Sequence, residues 1–413
     1  MDSDDCNNFS MNDETSKDLA NTKKRVNTPV VVLTISHAVQ HFYAAGIALT
    51  YPFVIIAFHT SYTILGIYLT IGGVVGGMLQ GATWLVRKFS TRAVLGTQNL
   101  GLAVAAAIGG ASATLGVFGL SRIFAAFVYW PQHPLGSAYL TEHYPSRKAS
   151  VLSWHTIGGT IGTMSIPLVL SVAIANYGWR TSLYLLGVPL ALGGVYVLRY
   201  LGADRVQGSD EEKTQRSLAD QLRALGNRSS LTVLVTSVIS AAGRGLGVLS
   251  AYVPAFLHRG TRLSTIDVGI VFTVMSIGGI IGPLLAGRLA DQVGRKITLV
   301  TTYIFGAVTI SVFVMVGNSI WLLCLVGLAV GFFAYSESPL LQAIFSETVV
   351  QAESRQAFGL FFAIAYGIGS FWLIVVGAMV DRYGFRPAFF AIAGSFIISA
   401  AIITTLPRTP TRR

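Results

Sequence analysis

From about residue 30 to residue 406 the chain is a succession of apolar runs separated by short polar stretches. Each run is near the roughly 20 residues a helix needs to cross a ~30 Å hydrocarbon layer. The pattern predicts helical spans at about 30–57, 62–86, 93–113, 115–141, 148–175, 181–201, 229–257, 264–286, 297–317, 319–346, 355–380 and 386–406. One connection, 202–228, is long and charged, carrying Asp204, Arg205, Asp210, Glu211, Glu212, Lys213, Arg216, Asp220, Arg223 and Arg228. It splits the spans six and six, so the expected units are bundles at 29–201 and 229–406 joined by a cytoplasmic linker. Within that linker 217–225 reads as an amphipathic helix.

Composition supports lipid as the solvent. Of 413 residues 53% are hydrophobic and 11% charged, with a mean hydropathy of +0.62; soluble proteins carry roughly 25% charged residues. The net charge of +11 does not indicate nucleic-acid binding, because the basic residues alternate in sidedness instead of pooling. With the N-terminus inside, 22 of the 29 Lys and Arg residues fall on the cytoplasmic side, five opposite and two within spans. That bias predicts a multi-pass protein of the cell (inner) membrane with both termini cytoplasmic. Residues 1–28 read as a disordered cytoplasmic tail and not a secretory signal, because an acidic lead precedes Lys23, Lys24 and Arg25. Residues 407–413 form a second tail. Cys6 and Cys324 imply neither a disulfide framework nor a metal cluster.

The halves repeat. Tyr177-Gly178-Trp179-Arg180 opens span 6, and Tyr383-Gly384-Phe385-Arg386 opens span 12, 206 positions later. Pro134 and Glu142 are matched 205 positions later by Pro339 and Glu347. A parallel duplication of this kind binds its solute between the halves near the midplane.

Between spans 8 and 9 lies Gly287-Arg288-Leu289-Ala290-Asp291-Gln292-Val293-Gly294-Arg295-Lys296. Gly287 would permit close helix packing and Gly294 a tight turn. Asp291 is placed to meet a helix N-terminus or an arginine, while Arg295 and Lys296 would hold the turn at the anionic leaflet. This loop and the paired Gly-Trp-Arg and Gly-Phe-Arg turns resemble the major facilitator superfamily, over about 30 to 406. The resemblance implies an all-α membrane fold of twelve helices in two pseudo-repeated bundles, with spans 1, 4, 7 and 10 around a cavity. It also implies alternating access, with the loop as a cytoplasmic latch. The first-half loop departs from the pattern: Arg87 stands where Asp291 would correspond. A narrower likeness, to the fosmidomycin-resistance group of efflux carriers, rests on Ser36-His37, His133-Pro134 and Gly158-Gly159-Thr160-Ile161-Gly162. At three of that group's typical positions this chain has His41, Gln132 and Thr160 instead.

Ionisable residues inside spans are few, and such residues generally face a cavity. His37 and His41 share one face of span 1. Arg122 and His133 lie on span 4 with Tyr129 between them, Arg244 lies at the middle of span 7 between two glycines, and Glu337 on span 10. His155 adds a histidine on span 5. Glu337 is the candidate reversible proton site, and Arg122 and Arg244 would suit an anion such as a carboxylate or phosphonate. Structural alternatives stand beside these. Arg122 could be a pivot held by carbonyls, His37 and His133 interhelical hydrogen-bond partners, and Glu337 the permanent partner of Arg244. The histidines are spread over several spans without ligand spacing, so no metal centre is expected. No Walker A loop occurs, and no cofactor is implied. Glycines of spans 2, 5, 8 and 11 read as seams for close helix contact. Together these features predict a monomeric, proton-coupled secondary transporter of a small, anionic organic solute. A drug/proton efflux antiporter is the alternative, weakened by Ile166 where glycine would precede Pro167; a non-transporting membrane sensor is a further one. Intramembrane catalysis lacks a paired nucleophile and base, so an enzyme is not expected.

Overall fold

The computed structural model describes residues 13–80, 86, 88–202, 227–348 and 354–407. Outside these lie Arg87 and most of its loop, the charged linker with its expected helix at 217–225, and the ends of both tails. Every regular element described is helical, as lipid requires: backbone N–H and C=O groups find no partner in hydrocarbon unless the segment satisfies them itself.

The spans are α1 (Thr28–Ala57), α2 (Tyr62–Gln80), α3 (Thr91–Ala111) and α4, in two pieces, Leu115–Tyr129 and Gln132–His143. Next, Lys148–Tyr200 is one 53-residue run that bends at Gly178 (φ 77°, ψ 162°) into α5, 148–177, and α6, 179–200. The second half comprises α7 (Arg228–Gly260), α8 (Thr265–Val293), α9 (Arg295–Met315), α10 (Ile320–Thr348), α11 (Ala357–Tyr383) and α12 (Phe385–Thr404). The twelve expected spans are thus present, most within a few residues of the hydropathy reading. One expectation is corrected: the helix leading into α1 begins at Asp13, so backbone from 13 onward is helical where a disordered tail was expected. The segment from Asp13 to Asn27 lacks glycine and proline, the two strongest helix breakers, and carries three Lys and one Arg, which tolerate helix well.

Polar residues in the turns start the helices. Ser90, Thr114, Asn227 and Ser264 accept from the backbone N–H three residues on, opening α3, α4, α7 and α8. The repeat is visible in backbone geometry, since Gly384 between α11 and α12 adopts φ 84°, ψ 179°, the same left-handed corner as Gly178 206 positions earlier. Only glycine takes this φ without strain.

The halves meet through α1–α7, α2–α11 and α5–α8. The end of the bundle at which α1 starts is termed near, the other far. At the far end Asp381 of α11 accepts from the backbone N–H groups of Tyr62 (3.0 Å) and Thr63 (2.8 Å) and from the Thr63 hydroxyl (2.5 Å), so it caps α2 across the divide. Also at this end, a Cβ on Gly269 of α8 would lie 1.9 Å from Ser171 Oγ of α5. Mid-membrane, Thr70 Oγ1 donates to Ser370 O (3.0 Å) and Ser370 Oγ to Thr70 O (3.2 Å). Gly77 and Gly367 are close enough that a Cβ on Gly77 would sit 2.5 Å from the Gly367 nitrogen. The Gly77–Gly367 approach is the close seam that glycine in spans 2 and 11 implied.

Candidate functional site

α7 loses its helix where Gly243-Arg244-Gly245-Leu246-Gly247 lies. After Ala241–Gly243, a 3₁₀ turn, Arg244 is extended (φ −62°, ψ 131°), and Gly247 has φ 150°, ψ −123°. Glycine is needed at 245 for a different reason, since a Cβ there would fall 2.1 Å from the Tyr335 ring of α10. The break turns Arg244 towards α10. Its Nε lies 3.0 Å from Glu337 Oε2, and Nη2 donates to Oε1 at 3.3 Å. Nη2 also donates to Ser237 O and Oγ, both at 3.0 Å, and Ser240 Oγ donates to Glu337 Oε1 at 2.5 Å. Glu337 is fully buried, Arg244 is nearly so, and the guanidinium stacks over Tyr366 of α11 at 4.9 Å. A buried ion pair is tolerated only when hydrogen bonds satisfy its remaining atoms, as these serines do.

The first half carries the same arrangement without the charge. Ser36 of α1 donates to Gln132 Oε1 on α4 (3.0 Å), while Asn99 Nδ2 of α3 donates to Ser36 Oγ (2.9 Å). Gln132 and Glu337 are 205 positions apart, Ser36 and Ser240 204, and Asn99 and Tyr303 204. Tyr303 of α9 lies beside Ser240 and Glu337. The duplication thus preserves a three-helix contact, occupied by an amide in one half and a carboxylate in the other.

Beside this contact the histidines converge. α4 is interrupted at Trp130-Pro131, where proline has no N–H to donate, and Gln40 Nε2 of α1 donates to the Tyr129 carbonyl at 2.7 Å. His133 follows the break. The rings of His37 and His133 are 4.7 Å apart, His37 and His41 4.6 Å, and His37 stacks on His155 of α5 at 4.2 Å. Glycines of α5 make the room: a Cβ on Gly159 would lie 2.7 Å from the His37 ring, and one on Gly162 2.9 Å from His41 Cβ. Here an expectation is corrected. The histidines are scattered in sequence, yet ring nitrogens of His37, His41 and His133 all lie within 4.8 Å of one another. Ligand spacing along one helix says nothing about residues that packing brings together from different helices.

Arg122 is held otherwise. Its Nη2 donates to Ala105 O of α3 and to Ser121 Oγ (3.2 Å each), and its guanidinium faces the Tyr43 ring at 4.9 Å. Among the described residues it has no carboxylate partner, and Nη1 and the Tyr43 hydroxyl are buried without hydrogen bonds. The structure therefore does not bring Arg122 into the Arg244–Glu337 pair. Tyr129 of α4 and Tyr366 of α11 come near each other between the two groups.

The loop between α8 and α9 is arranged differently from the sequence reading. Gly294 does make the turn, at φ 100°. A Cβ on Gly287, however, would meet nothing within 4 Å, so close packing is not its role in this conformation. Asp291 is exposed and pairs with no described residue. Arg295 bonds Glu347 Oε1 (2.5 Å) and Ala343 O (3.3 Å) of α10, and Lys296 donates to the carbonyls of Thr404 (2.7 Å) and Leu406 at the end of α12. The basic residues thus tie the loop to its own half, and the acid pairs with none of the described residues. Sequence reading missed Asp381, Ser237, Ser240 and Tyr366. Their partners are backbone groups or side chains of other helices, for which no local pattern exists.

The Major Facilitator Superfamily model matches residues 33–265 and 233–413. A putative metabolite transport protein of Haemophilus influenzae is 24% identical over 79% of this chain and 82% of its own length. The hexuronate transporter of Escherichia coli K12 is 23% identical over 86% and 84%. A mutant form of the nucleoside transporter NupG superposes with a TM-score of 0.77, at 17% identity, over 91% of this chain and 99% of that one. With the twelve helices in two matched bundles, these likenesses identify the chain as a member of the major facilitator superfamily, a multi-pass membrane protein that is a secondary transporter of small organic solutes and not an enzyme.

Proposed function

We propose that the chain moves an anionic organic solute by alternating access, coupled to protons through Glu337. The observation that carries this reading is the Arg244–Glu337 pair at the break in α7. Substrate and coupling sites of such carriers sit at discontinuous helices near the midplane, and this pair stands at one. An incoming carboxylate offers Arg244 a second bidentate partner; Glu337, released from the arginine in a dry site, then takes a proton. Arg122 with its unpartnered Nη1 supplies a further donor in the first half, and His37, His41 and His133 cluster in that same half. The hexuronate transporter among the relatives handles an acidic sugar, which fits this preference.

The bundles 29–201 and 229–406 are the two bodies that rock, in a monomer whose termini face the cytoplasm of the cell membrane. On this orientation the far end is outside. It is closed by the Asp381 cap and the α5–α8 contact, and at the near end Asp291 pairs with none of the described residues; an inward-facing state accounts for both. Gly287, Asp291, Gly294, Arg295 and Lys296 form the cytoplasmic gate, and Asp291 finds its partner when the near end shuts. Solute-dependent proton flux in proteoliposomes, across a panel of anions and cations, tests the proposal. Preference for cations, or full transport with both Arg122→Gln and Arg244→Gln in place, contradicts the anionic substrate.

A further inference from the structure

We propose that His37, His41 and His133 form a binding site for a divalent transition-metal ion, with zinc as the reference ion. The argument starts from tautomers. The Thr163 hydroxyl lies 3.0 Å from Gly159 O and 2.7 Å from His41 Nδ1; when its proton goes to the carbonyl, which can only accept, the hydroxyl accepts from Nδ1 and Nδ1 carries the hydrogen. His37 Nδ1 lies 2.7 Å from His155 O, a carbonyl that can only accept, so it too is protonated. In the neutral rings both Nε2 atoms are therefore bare lone pairs, and both are buried without a hydrogen-bond partner. Buried lone pairs without a hydrogen-bond donor can be satisfied by a cation held between the rings.

Metal-bound histidines typically fix the ring by donating the other N–H to a carbonyl or hydroxyl, as here. Ring nitrogens of the three residues lie within 4.8 Å of one another. A tetrahedral zinc with bonds of ~2.0–2.1 Å needs ligand nitrogens about 3.3 Å apart, which small ring rotations supply. Imidazole suits zinc, copper, nickel and cobalt, whereas magnesium and calcium take oxygen ligands. His133 is exposed, unlike His37 and His41, and so provides the entry side and an open fourth position for water or a solute oxygen. Bound there, the ion ties α1 to α4 within one half.

The test is zinc titration of the purified, tag-free full chain by calorimetry, with cobalt(II) absorption as a second readout. The expected result is one ion per chain and visible bands of a four-coordinate site. His41→Ala and His133→Ala each weaken binding at least about tenfold, Thr163→Val weakens it by about tenfold through His41, and His258→Ala, at the far end of α7 and outside the cluster, leaves it unchanged. His133→Ala is the variant least prone to misfold, since its side chain is exposed, and monodispersity is checked by size exclusion. No binding by the folded wild type, or binding untouched by His133→Ala in a monodisperse sample, overturns the proposal. Neither outcome depends on which solute the protein carries.

Discussion

Arg244 and Glu337 face each other from α7 and α10, Nε to Oε2 at 3.0 Å and Nη2 to Oε1 at 3.3 Å, with no more than a few per cent of either exposed. Neither helix could present its residue alone. The arginine reaches across because three glycines let α7 unwind, and Ser240 and the guanidinium occupy both oxygens of the carboxylate. Charge, helix break and hydrogen bonds form one unit.

Removing one partner leaves a buried charge without compensation, which costs about 3–5 kcal/mol. Arg244→Gln or Glu337→Gln alone should lower the thermal midpoint in detergent. Arg244→Gln combined with Glu337→Gln should recover part of the loss, because two amides can hydrogen-bond where one amide and one charge cannot. Thermal unfolding followed by tryptophan fluorescence checks the cycle. Additive losses would mean that the two residues act independently.

Asp381 holds the first N–H groups of α2 from the opposite half. Losing such a cap costs about 1 kcal/mol, enough to move a two-state equilibrium roughly fivefold. Asp381→Ala should therefore open the far end. Spin labels at Tyr177→Cys and Tyr383→Cys, both exposed on opposite halves, should show a longer distance population. An unchanged distribution would assign the cap to local helix stability only.

At Gly269 any side chain meets Ser171, with even a Cβ at 1.9 Å. Gly269→Val should hold the far end apart and slow turnover at least about tenfold. Pairing it with Ser171→Gly should relieve part of the block, as read by solute uptake into vesicles.

Asp291 touches nothing described in this conformation, so Asp291→Asn should change unfolding stability by no more than about 0.5 kcal/mol. Transport should nonetheless fall, because the gate uses the residue in the opposite state. Uptake rates and thermal midpoints from the same preparations separate the two effects.

Much of the fold was legible in sequence because lipid imposes strong rules. Run length marked the spans, and the two Tyr-Gly-aromatic-Arg corners marked the repeat. Gly178 and Gly384 then proved to share a left-handed backbone. The site was legible only in part. Glu337, Arg244, His37, His41 and His133 stood out as polar groups in apolar runs, but the pairing of the first two was one of two open readings. That the three histidines converge could not be read, since glycines on α5 and a proline break in α4 decide it. Asp381 was invisible for the opposite reason, lying at a span end where a carboxylate is unremarkable. Gly287 makes no close contact here, because a motif does not say in which conformation its residues meet.

The central claim is that solute movement is coupled to protons through Glu337. The most direct measurement is proton flux driven by an anion gradient in proteoliposomes, comparing wild type with Glu337→Gln. The account predicts solute-dependent acidification or alkalinisation in the wild type. With Glu337→Gln that signal should vanish while solute exchange between two loaded compartments persists. Proton flux in Glu337→Gln equal to that of wild type would contradict it.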